Sequence, residues 1–110
     1  MIQAGDIYLV AKGVVLGKVD YGRPCLVLRA SKHDATVCYF STKMEYRKAG
    51  NVTLWNADPD FKASGLRDSS YILGGITEDV KLDFFKDAKF WGRAEGQFKK
   101  NVEDWYGLPL

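Results

Sequence analysis

The sequence is poor in the residues that most enzymes and metalloproteins depend on. It has one histidine, His33, and two cysteines, Cys25 and Cys38, with no C-x-x-C spacing. That is too few ligands for a structural zinc site, so no metal and no cofactor is expected. His33 lies in the polar stretch SKHDA with no partner set by spacing, which removes it as a catalyst. No serine sits in a nucleophile-elbow motif, and P-loop and dinucleotide fingerprints are missing, so hydrolase-triad and nucleotide-fold readings have no support. No apolar run nears the roughly 20 residues that cross a bilayer, and the N-terminus lacks a basic segment leading into an apolar one. A cytoplasmic protein without a membrane partner is the expectation. Repeats, low-complexity tracts and blocks of like charge are also absent.

What remains is a chain of ordinary globular texture. Its 110 residues are 46% hydrophobic and 27% charged, enough for one core and too few for two domains, so residues 1–110 are read as a single domain. The net charge is only +2, but its distribution is uneven. Residues 1–50 carry eight Lys and Arg against four Asp and Glu, and residues 51–110 carry eight against ten. The first part is therefore at +4 and the second at −2. Solvated faces account for such a split as readily as an anionic ligand does. Cys25 and Cys38 sit inside apolar runs and read as small buried hydrophobes.

Short apolar runs divided by turn residues predict strands. Ile7–Val10 is followed by a glycine-rich loop containing Gly13, Gly17 and Gly22. Cys25–Leu28 is continuously apolar, as in a strand covered on both faces. The SKHDA turn joins it to Thr36–Phe40, which predicts a hairpin. Val52–Trp55 and Ser70–Leu73 predict further strands. Ile76, Val80, Leu82 and Phe84 share one parity, which predicts a half-buried strand over 76–84, and Phe90 and Trp91 close the sheet. In the tail, Phe98, Val102 and Trp105 recur at helical spacing, with Gly107 and Pro109 as the stop. Regular short strands without βαβ alternation give a mainly β fold, a small antiparallel barrel with a C-terminal amphipathic helix.

Two places could carry chemistry. Arg23 precedes Pro24, which biases it toward extended backbone at a loop-to-strand boundary. A guanidinium there is suited to clamp phosphate oxygens; equally, it suits a plain turn in which Arg23 pairs with Asp20. The second place is the end of the third strand, where Ser41, Thr42 and Lys43 either hold a phosphate or simply form a polar terminus.

These pieces stand in one order: GDIYLV at 5–10, a glycine-rich loop, GRPCLVL at 22–28, TVCYFST at 36–42, SGLRDSSYI at 64–72, and an amphipathic C-terminal helix. The order resembles the PemK/MazF-like family of toxin endoribonucleases, SH3-like barrels that share their fold with the gyrase poison CcdB. The resemblance spans nearly the whole chain. It implies a homodimeric cytoplasmic toxin that cleaves single-stranded RNA without a metal and is silenced by an antitoxin protein occupying the RNA groove. The family's arginine falls on Arg23, and its strand-end hydroxyl on Thr42, or on Ser41 if the register shifts by one. Ser70 matches a serine with a structural role. Lys18, Lys43 and Arg47 flank the same edge as candidate phosphate contacts. Tyr39 and Phe40 depart from the smaller residues usual there, and Tyr39 becomes a candidate stacking platform for a base. Asp20 is the nearest candidate general base. The rival expectation is a non-catalytic, CcdB-like protein-binding toxin or an inactive relative serving as an interaction module.

Overall fold

The computed structural model describes residues 1–10 and 22–110. Six antiparallel strands form one sheet curled into a half-barrel, so the mainly β architecture with a C-terminal helix holds. The strands are β1 (Asp6–Val10), β2 (Arg23–Ala30), β3 (Asp34–Ser41), β4 (Thr53–Leu54), β5 (Ser70–Lys81) and β6 (Lys89–Arg93), ordered β4-β5-β3-β2-β1-β6 across the sheet. A short helix α1 (Phe61–Ser64) and the longer α2 (Gly96–Tyr106) complete the described chain. Among the described residues no helix is long and apolar enough to cross a membrane.

The continuous apolar run in β2 is explained by two cores, one on each face of the sheet. Successive strand residues point to opposite sides. Leu26 and Leu28 join Ile7, Cys38, Phe40, Leu54, Ile72, Phe98 and Val102 on one face. Cys25 and Val27 join Tyr8, Val10, Val37, Tyr39 and Phe85 on the other. Both cysteines are buried and free. Burial pushes each thiol up from its usual 9.0 to about 12, because a thiolate would lose its hydration there.

The hairpin joining β2 to β3 forms as expected. Ser31 Oγ donates to Asp34 Oδ1 at 2.8 Å and accepts the Asp34 backbone N–H at 3.3 Å, closing a short polar turn. His33 is exposed in that turn.

Three expectations need correction. The runs Ser70–Leu73 and Ile76–Val80 belong to one twelve-residue strand. The β3–β5 register slips from Cys38↔Thr77 to Phe40↔Ile72, so β5 carries a bulge at Gly74 and Gly75, and Gly75 takes φ +76°, a left-handed value cheap only for glycine. The half-buried strand stops at Lys81, and Leu82–Phe85 forms a 3-10 turn that buries Phe85. Ile76 is exposed. In α2, Phe98 and Val102 are buried as the spacing predicts, whereas Trp105 is exposed. Tyr106, one residue on, packs against the core instead.

The GDIY motif has a structural purpose. Asp6 is 4% exposed; its carboxylate accepts from Arg93 Nη1 on β6 and from the Gln3 backbone N–H at 3.0 Å. Gly5, at φ +93°, turns the chain into β1 so that this carboxylate faces β6.

Candidate active site

A cleft of about 250 Å³ opens where the start of β2, the end of β3 and the segment before β5 meet. Its walls include Arg23, Ser41, Thr42 and Lys43, together with Arg67, Asp68, Ser70, Phe40, Leu66 and Trp91. The sequence elements that carry the first four residues lie apart in the chain, and antiparallel pairing of β2 with β3 brings them to one end of the sheet.

Arg23 reaches this position because of its neighbours on both sides. A side chain at Gly22 would press on the Val10 carbonyl, with its Cβ only 2.8 Å away, so the chain can pass this close to β1 only as glycine. Pro24 lies opposite Leu9 and Arg23 opposite Val10, in the extended conformation that a residue before proline favours. Arg23 Nη1 donates to the Phe40 carbonyl at 3.4 Å. That contact ties the guanidinium to the last buried residue of β3, immediately before Ser41.

Ser41 ends β3, and its Oγ accepts the Lys43 backbone N–H at 3.2 Å. Thr42 and Lys43 are exposed beyond it. The strand terminus therefore turns sharply and presents two hydroxyls and an ammonium to the cleft.

The opposite wall comes from SGLRDSS. Ser64 is buried; its Oγ donates to the Phe61 carbonyl at 2.5 Å and accepts the Leu66 N–H at 3.1 Å. Gly65 adopts φ +73° and ends α1. Leu66 then enters the core, and Arg67 and Asp68 are displayed at the rim. The Arg67 guanidinium lies 5.3 Å from the centroid of the Trp91 ring, a cation–π contact that holds it over β6. Asp68 Oδ1 accepts the Ser69 N–H at 2.8 Å, and the Asp68 carbonyl accepts from Ser70 Oγ at 2.8 Å. Ser70, which also lines the cleft, thus spends its hydroxyl proton within the turn.

Arg67 and Asp68 are the site residues that the sequence reading passed over. Their signal was present in the SGLRDSS stretch, where Gly65 and, after Leu66, the charged pair Arg67-Asp68 and two serines mark a polar turn that displays side chains. Only the fold shows which cleft the turn faces.

Two expected contacts fall elsewhere. Tyr39 is 0% exposed, and its hydroxyl donates to Glu78 Oε1 at 2.6 Å. Burial and that carboxylate both push its hydroxyl well above the usual 10.0. Tyr39 cannot offer a ring face, because it points to the opposite side of the sheet from its neighbour Phe40, which lines the cleft. Arg47 does not line the cleft either; it lies against Trp55 in a separate depression. Lys18 and Asp20 lie outside the described residues.

Among the described residues of the cleft wall, Arg23, Lys43 and Arg67 stand with one carboxylate, Asp68. The described walls therefore sum to +2, in a concave setting that strengthens attraction for an anion. No protein-family model and no curated protein matches this chain.

Proposed function

We propose that this protein is a toxin-type endoribonuclease that cleaves single-stranded RNA without needing a metal. The observation that carries the reading is the meeting of Arg23, Ser41 and Thr42 in one cationic cleft. In such a reaction the 2′-hydroxyl attacks the adjacent phosphorus, the P–O5′ bond breaks, and the products are a 2′,3′-cyclic phosphate and a 5′-hydroxyl. The protein has three tasks: to take the proton from the 2′-hydroxyl, to hold the charge of the pentavalent phosphorane, and to return a proton to the departing 5′-oxygen.

Arg23 is suited to the second task, since its fork of donors can bond two phosphoryl oxygens at once. Thr42 and Ser41 orient the scissile phosphate, and Lys43 and Arg67 draw in its neighbours. Among the described residues, Asp68 is the cleft carboxylate suited to accept the 2′-hydroxyl proton, and passing that proton to the 5′-oxygen balances the reaction. Unpaired RNA is the fitting substrate, because its bases can splay into a cleft of this size whereas an A-form helix cannot.

The same reading assigns partners. An antitoxin protein would silence the enzyme by filling the cleft, with acidic side chains replacing the RNA phosphates. It also gives a homodimer acting in the cytoplasm, where its RNA targets are.

Purified protein incubated with unstructured RNA and a chelator tests the proposal. The expected result is fragments ending in cyclic phosphate, abolished by Arg23→Ala in a protein that remains folded by circular dichroism. Stable RNA, combined with growth arrest when the protein is expressed, would instead favour the protein-binding alternative.

A further inference from the structure

A second depression, of about 540 Å³, lies beyond the cleft and has no part in the chemistry above. Its frame includes Arg47, Asn51, Trp55, Asn101, Asp104 and Trp105. Trp55 and Trp105 are 45% and 46% exposed, an expensive display of apolar ring on an isolated domain. The Arg47 guanidinium sits 5.3 Å from the Trp55 centroid. Trp105 reaches the sheet because Gly74 has no side chain: a Cβ there would come within 3.1 Å of both Trp105 Cζ2 and Asn51 Nδ2. The bulged glycine of β5 thus lets an indole and a carboxamide settle side by side.

We infer that this groove is a stacking site for an unpaired keto base, guanine or uracil, of a single-stranded RNA that also occupies the cleft. Indole and guanidinium planes are the surfaces on which splayed bases stack. The polar groups select the base. Asn51 Oδ1 accepts the Lys48 N–H at 2.7 Å, and Asn101 Oδ1 accepts from Gln97 Nε2 at 2.8 Å. Both carboxamides spend their oxygens within the protein and keep amide N–H donors, which together with Arg47 suit the carbonyl oxygens of a keto base. The Asp104 carboxylate suits its ring N–H, which adenine and cytosine lack at that edge. Asp104 lies 3.9 Å from Lys100 in an exposed pair that leaves its second oxygen to the groove, and Arg47 lies against Trp55 and donates to Thr53 Oγ1 at 3.4 Å, so ring faces and amides dominate the surface that an occupant meets.

Position links groove to cleft. Ser41 of the cleft and Thr53 of the groove both pair with Tyr71, from opposite sides of β5. Two strand spacings put them about 10 Å apart. Lys43 in the cleft and Arg47 in the groove are joined by a single 3-10 turn, Met44–Tyr46. One strand of RNA can therefore touch both places.

The inference rests on the reading of the cleft as an RNA site, so binding and cleavage are measured separately. The probes are 2′-O-methyl oligouridylate and oligoadenylate, which lack the nucleophile and cannot be cut. The chain has three tryptophans, and a Trp55→Phe, Trp105→Phe double variant gives the signal owed to Trp91 in the cleft, which is subtracted to leave that of Trp55 and Trp105. Oligouridylate is expected to quench them, and Trp55→Ala or Trp105→Ala to weaken its binding roughly tenfold, as loss of one base stack does. Oligoadenylate is expected to bind more weakly than oligouridylate. Equal affinity for the two oligonucleotides, unchanged affinity in both tryptophan variants, or quenching by a maltooligosaccharide and not by RNA would overturn the inference. Cleavage by the wild-type protein without groove binding overturns this inference alone; groove binding without cleavage overturns the nuclease reading alone.

Discussion

Removing the Asp6 carboxylate tests the reading of GDIY as a structural clamp. Asp6 is buried, and it receives the Arg93 guanidinium, the Gln3 N–H at 3.0 Å and the Tyr8 hydroxyl at 3.5 Å. A hydrogen bond to a charged group contributes roughly 1.5–3 kcal/mol, and a poorly solvated donor left alone costs about 1 kcal/mol more. Arg93 has 35% of its side chain in water and lies 3.9 Å from Glu95, so it finds other partners once Asp6 is gone. That places its share at the low end. Asp6→Ala is therefore expected to cost about 3 kcal/mol, and Asp6→Asn, which keeps the Gln3 contact, about 1–2 kcal/mol. Urea unfolding followed by tryptophan fluorescence measures both, and a cycle with Arg93→Ala isolates the pair, with an expected coupling of about 1.5 kcal/mol. A loss below about 0.5 kcal/mol for Asp6→Ala, the range of ordinary surface changes, would refute the clamp. So would strict additivity in the cycle.

Two further predictions concern the interior. Cys25 and Cys38 are each raised from 9.0 to about 12, and burial raises Tyr39 and Tyr106 in the same direction. Between those thiol values the folded chain holds protons that the unfolded chain releases, so this stabilisation is complete below about pH 9 and is lost as pH rises toward 12. Urea midpoints are expected to fall across that window, and a midpoint that stays level or rises would contradict the assigned burial. Gly92 of β6 packs so tightly on α1 that a Cβ would run into the Ala63 carbonyl, with the Ser64 carbonyl carbon only 2.6 Å away. Gly92→Ala is expected to cost about 3 kcal/mol, the upper range for overpacking against groups that cannot yield; a melting temperature within a degree of wild type would show that α1 moves aside freely.

Hydrophobic period made most of the fold legible. The unbroken run Cys25–Leu28 announced a strand covered on both sides, and the two cores bear this out. The Phe98 and Val102 spacing gave α2 and its buried face. What could not be read was any feature set by close approach between distant segments. The parity of Ile76–Phe84 runs past the end of β5 at Lys81, where a 3-10 turn with three residues per turn replaces the two-residue period of the strand and buries Phe85 instead. Trp105 fits the helical stripe, yet the core is already closed by Tyr106, and the ring is left lying over Gly74. In the cleft, the grouping of Arg23 with Ser41, Thr42 and Lys43 followed from strand order. Tyr39 failed as a surface residue because one step along a strand changes the face, and Phe40 takes the cleft side.

The sheet also acts as a partition between sulfur atoms. Leu26 lies opposite Cys38, and Cys25 opposite Tyr39, so the thiols are close in the ladder yet project into separate compartments. A cross-link needs converging Cβ vectors, and here a layer of backbone intervenes. Mild oxidants should leave the folded monomer without an internal bridge, and its cleft should keep one geometry across the reducing and oxidising conditions that a stressed cell passes through.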